Sequence, residues 1–99
     1  MDINKTQDGD KLVIALGGSL DTNTSPELSD VLDSSLPGIT DLTFDFADLE
    51  YLSSAGLRVL LAAQNTMDEQ GEMRVIHPNE VIKDVFEVTG FSEIMDIEA

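Results

Sequence analysis

The chain predicts an α/β fold: an open, mixed β-sheet of four to five strands with about three main helices packed against it. Two observations carry that expectation. Strand-like and helix-like segments alternate along 99 residues, punctuated by Gly, Pro and Asn. The three helical segments also fall between strand segments, where each can supply the crossover that parallel neighbours need.

Taken in order, the stretches on either side of Asp8-Gly9 read as paired strands, because Asp-Gly suits a tight hairpin turn. Leu12-Val13-Ile14-Ala15-Leu16 is a continuous apolar run, which predicts a strand covered on both faces, and Gly17-Gly18 ends or bulges it. Ser25-Pro26-Glu27 opens the first helix with a capping hydroxyl, a first-turn Pro and an acid near the positive dipole end. Leu28, Val31, Leu32 and Leu36 follow at helical spacing until Pro37-Gly38 stops them. Leu42, Phe44 and Phe46 alternate with Thr43 and Asp45, predicting a strand with one buried face. From Ala55 a broad apolar stripe runs through Leu57, Leu60, Leu61 and Ala63 to Met67 and predicts a second helix, closed at Gln70-Gly71. Met73, Val75 and His77 alternate as a further strand. Pro78-Asn79-Glu80 starts a third helix carrying Ile82, Val85 and Phe86, with Gly90 at its end and Phe91 placed to pack back on Phe86. Ile94 to Ile97 reads as a closing edge strand.

Composition then narrows the function. Twenty acidic residues against five basic ones give a formal charge of −15. Five scattered cations cannot neutralise a phosphate backbone, so nucleic acid is excluded as a partner, and anionic lipid is repelled likewise. The surface instead suits a protein with a basic face, bound less tightly as salt rises. Absence of Cys removes disulfides and thiolate metal sites. No apolar run approaches the length of a membrane span, and residues Met1 to Lys5 show no secretory pattern, so a single soluble, cytoplasmic domain over residues 1–99 is expected.

Catalysis has thin support. His77 is the one His, and no nucleophile elbow, phosphate-binding loop or dinucleotide fingerprint is present. Asp8, Asp10, Asp45, Asp48 and Glu50 do not follow calcium-loop spacing, so no metal or cofactor is expected. The segment Asp45 to Leu57 stands apart: a buried strand, a short acidic loop, then Ser53 and Ser54 at the start of the most apolar helix. One serine would cap that helix. A hydroxyl held there could also accept a phosphate, whose added charge would be opposed by Asp48 and Glu50 and would evict a partner while leaving the fold intact.

At these residues the chain resembles a family. Leu49-Glu50-Tyr51-Leu52-Ser53-Ser54-Ala55-Gly56-Leu57-Arg58-Val59-Leu60-Leu61 is similar to the signature of the STAS domain, in its bacterial anti-sigma factor antagonist branch. Gly17 to Asp21, Thr24 to Leu28, Leu42 to Phe46 and Gly71 to Phe91 agree in the same order. The resemblance implies a partner switch rather than an enzyme. The unmodified domain binds an anti-sigma factor that is also a serine kinase and frees a sigma factor; phosphorylation ends the complex and a phosphatase restores it. It places the modified residue at Ser54, with Ser53 as rival because Ser53 stands where well-known members carry Asp. It places the partner surface on Asp21, Thr22, Asn23, Thr24, Asp45, Ser53, Ser54, Ala55, Gly56, Leu57 and Arg58. The alternative is a constitutive, unphosphorylated STAS subunit of a transporter or signalling scaffold; a nucleotide-binding domain is a third, disfavoured by the acids near the helix start.

Overall fold

The computed structural model describes residues 1–98. Five strands, β1 (Asp2–Asp8), β2 (Lys11–Leu20), β3 (Asp41–Leu52), β4 (Glu72–Ile76) and β5 (Asp96–Glu98), form one sheet in chain order. The β1–β2 hairpin is antiparallel and every later pairing is parallel. Helices α1 (Ser25–Ser35), α2 (Ser54–Gln70) and α3 (Glu80–Thr89) make the three crossovers.

Each crossover steps the same way across the sheet, so right-handed connections put all three helices on one face. The register agrees: Leu12, Leu42 and Met73 form one row, Ile14, Phe44 and Val75 the next, and all six are buried. Phe46 sits between the other two core rings, 6.1 Å from Phe44 and 6.4 Å from Phe86, and seats α3 on the sheet. The opposite face has no helix over it. There Arg74 lies across Thr43, 3.0 Å from Asp41 and 3.5 Å from Glu98, so a flat guanidinium shields the sheet centre.

Five expectations change. Leu12 to Leu16 is not covered on both faces: Val13 is 38% exposed on the bare side, whereas Leu12, Ile14 and Leu16 are buried. The acidic stretch Asp48 to Tyr51 is not a loop but the second half of β3, paired with Gly17 to Ser19 through two register shifts at the glycines. Ser25 does not cap α1; it is buried in the first turn, and its hydroxyl donates back to the Asp21 carbonyl. His77 lies beyond β4 with φ 59, and β5 begins two residues later than Ile94. Phe46 stacks on Phe86, and Phe91 packs half-buried against the same core.

Candidate functional site

Strands β2 and β3 end side by side at Leu20 and Leu52, whereas β4 ends earlier, at Ile76 opposite Asp45, and the chain after it runs on along β3. Three short junctions build a corner there: residues 21–24 after β2, Ser53 after β3, and residues 77–79 after β4.

The first junction is knotted by its own side chains. The Asp21 carboxylate accepts from the backbone N–H groups of Asn23 at 2.9 Å and Thr24 at 3.1 Å. Thr24 Oγ1 accepts from the Asp21 N–H and donates to the Ser19 carbonyl at 2.8 Å. Donation from Thr24, then from Asn23, holds the Asp21 carboxyl below the ordinary aspartate range, with partial desolvation opposing it. The loop is therefore set in shape, with Thr22 and Asn23 pointing into solvent.

The second junction is a single residue. Ser53 donates its N–H to the Leu20 carbonyl at 2.9 Å, which ties the end of β3 to the end of β2. Its Oγ accepts from the Gly56 N–H at 3.3 Å, so Ser53 is the N-cap of α2. Ser54 is the first helical residue, and it is exposed. Arg58, one turn further and also exposed, stands on the same helix face.

Gly56 explains how closely these two junctions approach. A Cβ there would come within 2.7 Å of the Leu20 side chain, 2.8 Å of Leu52 and 3.0 Å of the Leu20 carbonyl. The first turn of α2 thus presses on β2 with no space for a methyl group. Gly56→Ala is expected to lower stability by about 1–3 kcal/mol through overpacking. Urea unfolding measures it, and a curve superposing on the unsubstituted protein would contradict the reading.

The third junction brings in a residue not singled out as functional. Beyond Asp45↔Ile76 β4 no longer pairs with β3, and Asn79 takes over: its Nδ2 donates to the Leu49 carbonyl at 3.1 Å. Its Oδ1 caps α3 by accepting from the Ile82 N–H at 2.9 Å. The Pro78-Asn79-Glu80 signature marked only the helix start; the long-range bond leaves no local pattern.

The corner therefore gathers Asp21, Thr22, Asn23, Thr24, Ser53, Ser54 and Arg58. Gly56 and Leu57 are buried and Ala55 half-buried, so they shape the surface from beneath. Asp45 is not gathered in. It pairs with Ala15, five residues before Leu20, which puts it roughly 16 Å down the strands. Its carboxylate accepts from the Ala47 N–H instead. Asp48 lies on the row of Gly17 and Asp2, also away from Ser54. Among the described residues no group of three or more His, Cys, Asp or Glu is placed to hold a metal ion, and no helix is long and apolar enough to cross a membrane.

A small α/β domain that presents a hydroxyl-bearing corner of this kind falls, by its family, in the class of regulatory binding domains. The family model described as "Mlab, STAS domain" matches residues 3–96, and the chain belongs to the STAS family. An anti-sigma-B factor antagonist of Listeria monocytogenes is 29% identical over 97 residues, spanning 95% of this chain and 84% of that one. An anti-sigma factor antagonist from Mycobacterium paratuberculosis superposes with a TM-score of 0.87 at 18% identity, covering 98% of this chain and 84% of the other. Unphosphorylated SpoIIAA does so at 0.78 and 16% identity, covering 99% and 87%. Phosphorylated SpoIIAA, from Bacillus, gives 0.77 at 18% identity, over 99% and 92%. At those identities the structural likenesses establish a common fold.

Proposed function

We propose that this protein is a cytoplasmic anti-sigma factor antagonist that works as a phosphorylation-controlled partner switch. Unmodified, it binds an anti-sigma factor that is also a serine kinase, and so releases a sigma factor. Phosphorylation at Ser54 ends that complex, and a phosphatase restores it. The name of the Listeria relative supports the antagonist role, and SpoIIAA is a neighbour of the same fold described in both phosphorylation states.

One observation carries the choice of residue. Of the two adjacent hydroxyls, Ser53 is engaged as the helix cap and Ser54 is exposed. Phosphate on Ser54 adds about −1.5 to −2 charges at the positive end of α2, with Arg58 one turn on, so the domain tolerates it. A partner pressed against the corner meets a bulky dianion, and the complex parts. Phosphate on Ser53 would sacrifice the cap.

Incubation with the cognate anti-sigma factor kinase and ATP tests this. Ser54 is expected to be labelled stoichiometrically, Ser54→Ala to bind the kinase without accepting label, and Ser54→Asp to bind more weakly. Ser53→Ala should still be labelled, at a cost of about 1 kcal/mol in stability from the lost cap. Full labelling of Ser54→Ala would overturn the assignment.

A second reading, a constitutive subunit of a transporter or signalling scaffold, draws on Ser53 standing where the resemblance to the antagonist branch leads one to expect Asp. It predicts no label on either serine, and binding that Ser54→Asp alters only through local packing.

A further inference from the structure

Helix α3 carries an apolar stripe that the fold uses only at its middle residue, Val85. Ile82 and Phe86 face the core, whereas Val81, Val85 and Val88 recur at i, i+4 and i+7 along one flank. Val85 is half-buried, Val81 is 58% exposed and Val88 is 87% exposed. Burial therefore returns almost nothing for Val88, while a β-branched residue costs helix propensity at a solvent position. A lone exposed valine needs no account, but three in register on a helix of 10 residues form a continuous surface.

Charge decides what fits there. Asp84, exposed, borders the stripe on its outer side, with Glu80 and Glu87 next around the helix. Lys83 lies on the far side and is paired with Glu80 at 3.6 Å. A second copy of this chain would bring the same carboxylate border and a further −15 of formal charge. Anionic lipid is opposed by the same border. A protein with an apolar centre rimmed by Lys and Arg is complementary in both respects.

We propose that Val81, Val85 and Val88 form a second docking surface, for a heterologous protein whose apolar patch is ringed by basic side chains. The surface lies apart from Ser54: its outermost valine stands nine residues along the helix from the Asn79 cap, roughly 13 Å from the corner end. Docking there is independent of the phosphorylation state of Ser54, and it does not rest on the partner-switch reading.

A photo-crosslinking residue at position 88, introduced into the full chain in its own host, tests this, followed by titration of the purified adduct partner. The expected partner is a different protein, bound less tightly as salt rises. Val81→Ser with Val88→Ser is expected to weaken it about tenfold or more, and Ser54→Asp to leave it unchanged. Both valines are exposed, so thermal unfolding of the double variant should match the unsubstituted protein. A self-adduct with concentration-dependent dimerisation, binding to anionic vesicles in place of a protein, no specific adduct, or a partner indifferent to the double substitution would each overturn the proposal.

Discussion

Gly71→Ala is expected to unfold much of the population or to prevent soluble expression. Gly71 closes α2 and is bound to the Met67 carbonyl at 2.7 Å, while the next residue donates to the Thr40 carbonyl at 2.9 Å. A Cβ on residue 71 would stand 1.9 Å from that Thr40 oxygen and 2.6 Å from its carbon. Both obstacles are main chain, and Thr40 is itself held at the start of β3 by its bond to the Asp10 carbonyl. No flexible side chain can yield. Relief requires β3 and β4 to separate where they first pair, at Asp41 and Glu72. The cost should be about 3 kcal/mol or more, or roughly 12–24 °C in Tm for a domain of this size. Chemical denaturation with an unchanged m-value measures it, and a loss below about 1 kcal/mol would contradict the geometry.

Phe46→Ala should cost about 3–5 kcal/mol, the usual range for truncating a fully buried ring. The ring joins Phe44 on the sheet to Phe86 on α3, so its loss empties the seat of one whole helix. Amide exchange should accordingly quicken most in α3, with less change in α1 and α2, which pack on each other. Uniform loosening of all three helices would mean that α3 is not separately seated by this residue. Phe46→Leu, which keeps most of the volume, should recover much of the difference.

These residues also show which parts of the fold can be read from sequence. Leu42, Phe44 and Phe46 announce their strand because alternation follows from the pleat alone. Pro37-Gly38 and Pro78-Asn79-Glu80 announce helix ends because their chemistry is local. The Leu12 to Leu16 run misleads for a global reason: whether Val13 meets a helix or water depends on the direction of crossovers much further along the chain. Asp48 to Tyr51 misleads because a charged stretch can pair when its neighbour, Gly17 to Ser19, bends to accommodate it.

At the corner, residue types point to a helix start but not to the division of labour between the two serines. Local rules permit either hydroxyl to cap. The bond from Ser53 to Leu20 selects one, and that contact joins residues far apart in sequence. Thr24 likewise displaces Ser25 from the cap position of α1, although its hydroxyl is spent on Asp21 and Ser19. Asn79 completes the corner through a bond spanning 30 residues, invisible to any short motif.

Because Ser53 alone joins β3 to α2, the recognition edge has no slack. A protein arriving there finds the hydroxyl already in its final setting, and the ordering entropy that a floppy epitope surrenders on docking is largely avoided. On the proposed partner-switch reading, covalent charge at Ser54 would then retune affinity without waiting for refolding, and reorganisation of this chain would limit neither association nor release.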